Sequence, residues 1–592
     1  MSLCYTRADE NQTVLLRRDL LVLVVILLAY VCIAWQSIQA PLVIGDDTAE
    51  LAYIRSKPLF SQLAQYDCFF FFRPFKNLLF ISFDALLPFG LAACRILAIA
   101  IGIASAMPVY NLFRRLLQNP AAVLSATACW LLAPTLVSCT SWLSCVNIQA
   151  MTGFAAGAML LALRASELCG KLRFLCLACA WLTTGLALLC YEGAVCLPAL
   201  VFAVHFYLEP ARLRERRAWY TYLTIGSVVV LYLLLRALRT NVPHQLVNFN
   251  FGEMSNLQVV AAAPWFLFQH FSIWFWPFGQ QAILGSYRLE QVSTALLVVL
   301  WLGLITGALA CIWLRPRMLG LGLAWSLLAF LPMSNLFAFR NGPYGDYYLA
   351  LASMGLCLCM GWIVHALIER SRHDRSAYLA LLLIACWRLA ATGESVVWSQ
   401  AWNNGETILC NTLQTFPQAF SVMNEYARLC LRKEDYDACQ VWTDRSVLLA
   451  PHNRDVHELR ALVADHHGDL PLARQELDLF MQYGGTHESW GWYFQGYLLD
   501  ERMGDTNAAA RCYQQAIDHR ITWSADVLDA QSALAFFALQ RGDLKTAIAD
   551  WEQIVQIDPA RTCLRQNLVR AYRALGENKK AQQQLDFLQQ PL

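Results

Sequence analysis

Long apolar stretches fill the first two thirds of the chain and give way to mixed polar sequence in the last third. About eleven of these stretches come close to the roughly 20 apolar residues that a helix needs to cross a bilayer. They lie near 19–36, 91–112, 120–138, 146–164, 172–190, 193–208, 218–236, 292–314, 318–334, 347–368 and 376–393. The pattern predicts an all-α protein, with a polytopic membrane domain over residues 1–395 and a soluble domain over residues 396–592.

Basic residues recur at every second connection between these stretches. Arg17 and Arg18 precede the first stretch, and further Lys and Arg residues lie at 114–115, 164–173, 212–217, 315–317 and 370–375. Connections rich in Lys and Arg stay on the cytoplasmic side of a membrane. These connections are therefore predicted inside. The loops between them, and the domain that follows an odd number of crossings, are predicted outside.

The soluble part repeats a glycine and an alanine at a regular distance. Gly468, Gly504, Gly542 and Gly576 follow one another at spacings of 36, 38 and 34 residues, and an alanine lies five positions after each. Lys433 takes the corresponding place 35 residues before Gly468. Glycine can end a helix in a left-handed turn, and a period near 34 residues is typical of tetratricopeptide repeats. We expect about five repeats, which either bind peptides on their concave surface or only stabilise the membrane domain.

Composition narrows the possible functions. Charged residues make up only 15% of the chain, against roughly 25% in soluble domains. The net charge of +2 gives no indication of a nucleic-acid partner, and the 21 cysteines are too scattered to predict a disulfide framework. The sequence has no phosphate-binding GxxxxGK[ST], GxSxG or HExxH motif. This argues against an ATP-driven pump, a serine hydrolase and a zinc protease.

Two adjacent acids, Asp46 and Asp47, open the first predicted outer loop, which runs from 37 to 90. A carboxylate at a membrane surface suits a general base that acts on an acceptor hydroxyl. The pair could also hold a divalent cation such as Mg²⁺ or Mn²⁺ with its oxygen atoms. The alternative is a pair of solvated loop acids that cap a helix beginning at Thr48, and the spacing alone favours this alternative.

The same loop continues with an aromatic run from Phe69 to Phe72, followed by Arg73 and Lys76. Aromatic residues at this position are typical of a helix that lies in the lipid headgroup layer. Arg73 and Lys76 could bind a lipid phosphate through charge-assisted hydrogen bonds. They could equally be headgroup anchors whose charges extend to the interface.

Two further predicted outer connections carry polar side chains. Glu192 lies at the junction of two apolar stretches, where it could position a substrate or Arg73, or be a turn acid in water. The loop 333–348 adds further candidates for substrate binding, which are Arg340, Tyr344, Asp346 and Tyr347. Arg340 is a second candidate ligand of a phosphate, while the glycines and proline of this loop predict turns.

Taken together, these features resemble the GT-C glycosyltransferases, and among them the transmembrane and tetratricopeptide repeat-containing O-mannosyltransferases and their bacterial relatives. The resemblance covers nearly the whole chain in order. It is carried by the acidic pair Asp46-Asp47, by Arg73-Pro74 ahead of Phe83-Asp84, by Cys190 to Gly193, by Ser334 to Leu336 with Leu351 to Gly355, and by Trp398 and Trp402 ahead of the repeats.

The resemblance implies an inverting transfer, on the outer face of the membrane, from a polyprenyl-phosphate sugar to a hydroxyl of an exported acceptor, which the resemblance indicates is a protein. In that reaction Asp46 would be the base, with Asp47 beside it, and Arg73 or Arg340 would bind the donor phosphate. The sequence departs from the family at 133–149, which lacks the usual His-Pro and charged residues, and at Asp346-Tyr347, where the family has Glu-Arg. The sugar therefore stays open.

Two other readings also fit the sequence. One is a non-enzymatic membrane scaffold that binds exported proteins through its repeats, and the other is a ligase or transporter of lipid-linked oligosaccharides. Either protein would lie in lipid and would bind exported molecules. The repeat number and the lack of an ER-retention tail favour a bacterial inner membrane with periplasmic repeats over an ER membrane.

Overall fold

The structure is a computed structural model. It describes residues 2–42, 47–55, 71–117, 119–239, 256–278, 283–284, 293–314, 316–334, 336, 344–415, 417–484, 488–520, 524–558 and 561–588. Nearly all of these residues are helical, and the strands in this part of the chain are the two-residue segments β1 (Ile283–Leu284) and β2 (Tyr344–Gly345), which pair antiparallel. The prediction of an all-α fold is confirmed.

The chain divides into two compact units. The first, called the membrane unit below, comprises residues 1–48 and 63–422, and the second, called the repeat unit, comprises 49–62 and 423–592. The predicted border between residues 395 and 396 was placed where the apolar sequence ends, whereas these units are defined by their compactness. The predicted border therefore stays a prediction.

The first sixteen helices carry the apolar sequence. In chain order they are α1 (Ser2–Trp35), α2 (Asp47–Arg55), α3 (Pro74–Leu86), α4 (Leu91–Leu117), α5 (Pro120–Leu131), α6 (Pro134–Ser141), α7 (Val146–Glu167), α8 (Gly170–Cys190), α9 (Leu197–Leu208), α10 (Arg216–Arg239), α11 (Asn256–Phe275), α12 (Thr294–Trp313), α13 (Arg317–Phe330), α14 (Leu349–Ser371), α15 (Arg375–Ala401) and α16 (Gly405–Thr415).

Helices occur at all eleven predicted apolar stretches. Within the described residues, seven are long and apolar enough to cross a membrane, or eight if α5 and α6, which are bent by 54°, form one span. Three shorter apolar helices lie at Asp19–Trp35, Glu192–Leu208 and Arg317–Met333. The protein is thus a polytopic membrane protein, while the number of crossings stays a prediction. The bend falls at Pro134, which cannot donate the backbone hydrogen bond that would continue α5.

The predicted inner connections contact one another. Arg115 pairs with Glu167 and lies 3.3 Å from Glu209, and Arg212 lies 3.3 Å from the same Glu209. Four residues from three different predicted inner connections therefore form one group of ion pairs. Such contacts are what the alternation of basic and non-basic connections requires.

Close backbone packing fixes the start of α14. A Cβ atom on Gly355 would collide with the carbonyl oxygen of Gly322 on α13, and a Cβ on Gly322 would meet the carbonyl of Gly355. Small residues let two membrane helices approach this closely. The glycine at the end of the Leu351 to Gly355 motif therefore has a packing role, and it anchors the helix that follows Asp346 and Tyr347.

Apart from residues 49–55 of α2, the described part of the repeat unit consists of paired antiparallel helices. They are α17 (Phe420–Arg432), α18 (Tyr436–Leu449), α19 (Arg454–His466), α20 (Leu470–Gln482), α21 (Ser489–Tyr497), α22 (Thr506–Asp518), α23 (Ala525–Gln540), α24 (Leu544–Ile557), α25 (Thr562–Ala574) and α26 (Asn578–Leu588). Their order gives five helix pairs in the described residues, as the spacing predicts.

The turns inside the pairs confirm the glycine positions and correct one assignment. Gly468, Gly504, Gly542 and Gly576 have φ of 76°, 70°, 84° and 77°. In the first pair this left-handed position belongs to Glu434, with φ of 58°, and not to the predicted Lys433. The prediction was wrong by one residue because Lys433 was placed by counting to Ala438, whereas the buried position of the next helix is occupied by Cys439.

Candidate active site

Several predicted site residues cannot be placed. Asp46 and Arg340 lie outside the described residues, and of Tyr344 only the backbone, in β2, is described. Asp47, Arg73, Lys76, Glu192, Asp346 and Tyr347 are all described and belong to the membrane unit.

Arg73 and Glu192 form a buried bidentate ion pair. The Arg73 Nε donates to Glu192 Oε2 at 2.9 Å, and Nη2 donates to Oε1 at 2.6 Å. The guanidinium also lies over the rings of Phe71 and Tyr191, 4.0 and 4.3 Å from their centroids. The contact between Glu192 and Arg73 that the sequence suggested is therefore present. Glu192 is fully buried, which excludes a turn acid in water.

Local structure explains how the pair is presented. Pro74 occupies the first turn of α3 and leaves Arg73 as the residue before the helix, a position at which proline is well tolerated. On the other side, α8 ends at Cys190, and Tyr191 is extended with φ of −161° and ψ of 138°. The Asn147 side chain donates to the Cys190 carbonyl at 2.7 Å and so holds this helix end. Glu192 then begins a short 3₁₀ helix.

A second arginine, Arg236, belongs to the same group. It lies near the end of α10 and acts electrostatically on Glu192 and Tyr232. The Tyr232 hydroxyl also donates to the Phe72 carbonyl at 3.3 Å. Two cations therefore act on one carboxylate, which leaves one net positive charge among these three groups. Sequence reasoning missed Arg236, although a charged residue at the end of the predicted span 218–236 was a usable signal.

Lys76 lies on α3 one turn after Arg73. Its side chain is buried, and the ammonium lies 5.9 Å from the centroid of the Phe80 ring. Lys76 is therefore not an exposed headgroup anchor. Whether Lys76 binds phosphate stays a prediction.

Asp47 is fixed by a loop nearly one hundred residues away. It is the first residue of α2, is fully buried, and its Oδ1 accepts hydrogen bonds from Ser144 N at 2.9 Å and Ser144 Oγ at 2.7 Å. The alternative of a solvated loop acid is therefore wrong for Asp47. A buried carboxylate needs such donors to offset the loss of water.

Arg95 holds the segment that leads to the acidic pair. Its Nη2 donates to the carbonyls of Ala40 at 3.1 Å and Pro41 at 2.9 Å, and its Nη1 donates to the carbonyl of Ser141. Arg95 also acts electrostatically on Asp47. The sequence reading missed this residue because a single arginine near the start of a predicted span looks like a boundary charge.

Asp346 and Tyr347 contact the segment 138–142, which leads to Ser144. Asp346 is fully buried and accepts hydrogen bonds from its neighbour Tyr347 N at 2.8 Å and from the Ser138 hydroxyl. Ser138 in turn accepts a hydrogen bond from Trp398 Nε1 at 3.3 Å. The backbone N–H of Gly345 donates to His270 Nε2 at 3.3 Å, which fixes the turn ahead of Asp346.

Aromatic rings connect the acid end with the arginine end. Trp142 contacts Tyr347 with ring centroids 5.7 Å apart, and Tyr347 contacts Tyr348 at 4.7 Å. The charges of Arg73 and Glu192 act electrostatically on Tyr348. Residues from four predicted outer connections, together with Arg236 at the end of the predicted span 218–236, thus form one contiguous group, which we call the outer cluster: Asp47, Ser144, Trp142, Tyr347, Tyr348, Tyr191, Arg73, Glu192 and Arg236.

The described residues contain no group of three or more His, Cys, Asp or Glu side chains that could hold a metal ion. Asp47 already accepts two hydrogen bonds from Ser144 on one oxygen. The divalent cation considered for the acidic pair therefore stays a prediction that involves Asp46.

Comparison with known proteins gives one family match. Residues 538–589 match the family model of the tetratricopeptide repeat. Curated proteins give no match. The fold is thus a helical membrane bundle followed by a tetratricopeptide-repeat solenoid.

Solved structures resemble different parts of the chain. ArnT from Cupriavidus metallidurans, bound to undecaprenyl phosphate, is 15% identical over 74% of this chain and 77% of that one, with a TM-score of 0.37. The archaeal oligosaccharyltransferase AglB from Archaeoglobus fulgidus, in complex with an inhibitory peptide and a dolichol-phosphate, is 15% identical over 63% of this chain and 56% of that one, with a TM-score of 0.34. Pseudomonas aeruginosa pilF is 15% identical over 29% of this chain and 75% of that one, with a TM-score of 0.26.

Proposed function

We propose that this protein is a membrane glycosyltransferase that moves a sugar from a polyprenyl-phosphate donor to a hydroxyl group of an exported protein. The observation that carries the proposal is the arrangement of Arg73, Arg236 and Glu192. Where apolar helices end, Arg73 forms a buried ion pair with Glu192, and Arg236 acts electrostatically on the same carboxylate. A lipid phosphate would meet net positive charge at that position.

The donor phosphate would bind to the two arginines. Glu192 engages Arg73 on two nitrogen atoms, and Phe71 and Tyr191 flank the guanidinium, so the planar group has a fixed orientation. A fixed guanidinium matches the geometry of phosphate oxygens better than a flexible ammonium does. When the sugar is transferred, negative charge grows on the leaving phosphate, and preorganised cations stabilise it.

Asp46 would act as the base. It would take the proton of the acceptor hydroxyl while the hydroxyl oxygen attacks the anomeric carbon of the sugar. The bond between that carbon and the phosphate oxygen would break, polyprenyl phosphate would leave, and the anomeric configuration would invert. Asp47, held by Ser144, would fix the position of Asp46 next to it.

The repeats would bind the acceptor. Tetratricopeptide solenoids present a concave surface to peptides and proteins, and the repeat unit follows the membrane unit in the chain. We place the repeats and the transfer reaction on the outer side of a bacterial inner membrane, where a lipid-linked sugar can serve as donor without nucleotide sugars.

The test uses Arg73→Gln in membranes supplied with a panel of polyprenyl-phosphate hexoses. We expect wild type to consume one of these donors, and Arg73→Gln to lower kcat/KM by about a hundredfold. The double variant Arg73→Gln/Glu192→Gln is measured beside it, because a buried carboxylate left without its partner can unfold the protein. Arg212→Gln removes a comparable ion-paired arginine from the predicted inner side and should keep wild-type turnover.

The non-enzymatic scaffold predicts a different result. If wild type neither consumes nor binds any donor of the panel, while exported proteins still bind to the repeats, the glycosyltransferase is contradicted. Donor consumption that is equal in wild type and in both Arg73 variants would keep the enzyme and remove Arg73 from the phosphate site.

A further inference from the structure

Trp142 of the outer cluster and its neighbour Trp402 have indole N–H groups without an acceptor among the described residues. Trp142 and Trp402 are only 2% and 3% exposed, and within the described part of the chain neither Nε1 has a hydrogen-bond partner. Among the other buried tryptophans of the membrane unit that the structure describes, Trp130, Trp325 and Trp398 do donate, as Trp130 does to the Ala350 carbonyl at 2.8 Å, and Trp274 does not. A buried indole N–H usually has a partner, so each exception calls for an explanation.

The two indoles lie against each other and against the site. Their ring centroids are 5.7 Å apart, and Trp142 also contacts Tyr347 at 5.7 Å. Trp142 precedes Ser144 by two residues, and Ser144 binds Asp47. The pair is therefore part of the same set of contacts that runs from Asp47 to Arg73.

This position fits the sugar of the donor. In the proposed reaction the transferred sugar lies between the leaving phosphate and the hydroxyl that the base activates. Arg73 belongs to the phosphate end and Asp47 to the base end. Trp142 contacts Tyr347 on the path between these ends, and Trp402 packs on Trp142. Binding sites of small ligands combine aromatic walls with a few well-placed donors, and a pyranose presents hydroxyl oxygens to donors and C–H groups to rings.

We propose that Trp142 and Trp402 donate their indole N–H groups to hydroxyl oxygens of the transferred sugar and so distinguish the glycosylated carrier from the bare one. This inference rests on the proposed function. It assigns to the two indoles the recognition of the sugar, and not of the phosphate or of the acceptor protein.

The test compares the bare carrier with glycosylated carriers that differ from it only in the sugar. Affinities are measured for polyprenyl phosphate and for polyprenyl-phosphate mannose, glucose, galactose and N-acetylglucosamine. Trp142→Phe and Trp402→Phe each keep a ring and remove one N–H. Each is expected to lower the preference for the glycosylated carrier by about three- to tenfold, the worth of one hydrogen bond, and to leave the affinity for the bare carrier within about twofold.

Trp274→Phe is the matched control. Trp274 is 3% exposed, and its Nε1 also lacks a partner in the described residues, but its ring packs on Trp387 at 5.5 Å. The same chemical change there should leave the preference for the sugar unchanged. Trp142→Phe and Trp402→Phe are assayed separately, so that either one suffices if the other fails to fold.

The outcomes separate the inference from the function on which it rests. If wild type binds neither the bare nor any glycosylated carrier, the proposed function fails. If wild type prefers a glycosylated carrier and both variants keep that preference, the function stands and the inference is overturned. It is also overturned if wild type shows no preference, if Trp274→Phe loses it equally, or if the variants weaken only the binding of the acceptor.

Discussion

Asp47 accepts two hydrogen bonds from a single residue, Ser144, whose backbone N and Oγ lie 2.9 and 2.7 Å from Asp47 Oδ1. Ser144→Ala removes only the hydroxyl bond. We expect a fall in kcat of about fivefold, since one hydrogen bond is worth about 1 kcal/mol, with KM for the donor unchanged. Steady-state kinetics of Ser144→Ala and of Ser144→Thr, which keeps a hydroxyl, measure this effect.

The Ser144 variants also distinguish positioning from folding. Ser353→Ala removes a buried hydroxyl of α14 that has no hydrogen-bond partner in the described residues, and it should keep wild-type kinetics. A fall in kcat of the same size in Ser353→Ala would show that the effect of Ser144 is general destabilisation.

Arg236 should matter for the donor although it was not found from the sequence. Arg236→Gln removes one of the two cations near Glu192. We expect KM for the polyprenyl-phosphate donor to rise by about tenfold, because a hydrogen bond to a charged group is worth roughly 1.5–3 kcal/mol. Arg164→Gln, on an arginine whose side chain is 66% exposed, is the control. Equal KM values for the two variants would remove Arg236 from the phosphate site.

The first repeat carries a strained residue. Glu434 has φ of 58°, where the other described repeats have glycine. A left-handed conformation costs a residue with a Cβ atom roughly 1–2 kcal/mol, and part of this is offset by the greater freedom of glycine in the unfolded chain. Glu434→Gly should stabilise the repeat unit by about 0.5–1 kcal/mol, which thermal unfolding of the full chain measures.

Lys433→Gly is the matched control for that substitution, because Lys433 is the residue at which the sequence spacing had placed the turn. It should be neutral or destabilising. Stabilisation by Lys433→Gly instead of Glu434→Gly would contradict the register of the first repeat.

A group of charges in the repeat unit predicts a dependence of stability on pH. Burial, together with the carboxylates of Asp455 and Glu458, raises the pKa of Glu488 to about 7, although Arg454 lies 2.6 Å away. The unfolded chain binds this proton near pH 4.3. The folded state binds the proton more tightly, so the contribution of Glu488 to stability is complete below about pH 4.3 and is lost as the pH rises through 7.

Glu488→Gln removes this titration. We expect the difference in Tm of the repeat unit between pH 5.5 and pH 8 to become smaller than in wild type. Some difference should remain, because burial also raises the pKa of Asp455. Glu577→Gln, whose side chain is 42% exposed, should behave like wild type. An unchanged difference in Glu488→Gln would contradict the raised pKa.

The features that could be predicted from the sequence are those that depend on local periodicity. Apolar stretches of helix length and glycines at regular spacing lie close together in the chain, so the helices of both units could be assigned without a structure. The turn at Glu434 could not, because no glycine marks its left-handed conformation.

The contacts of the site depend on residues that are far apart in the chain. Ser144 follows Asp47 by 97 positions, and Glu192 follows Arg73 by 119. Nothing in the pattern around a serine or a tryptophan indicates which distant acid it will meet. Arg73 and Glu192 were found because charged residues beside apolar stretches are conspicuous. Trp142 and Ser144 were not, because they look like ordinary loop residues.

The most direct measurement is the transfer of sugar by Asp46→Asn, with the donor that wild type consumes. Amounts of folded protein are first matched, and Asp19→Asn, on the predicted inner side, is the control. We expect Asp46→Asn to bind polyprenyl phosphate as wild type does and to lose at least about a hundredfold in kcat, as the loss of a general base implies. Wild-type turnover in Asp46→Asn would contradict the assignment of the base, and with it the central claim that sugar transfer takes place at this acidic pair.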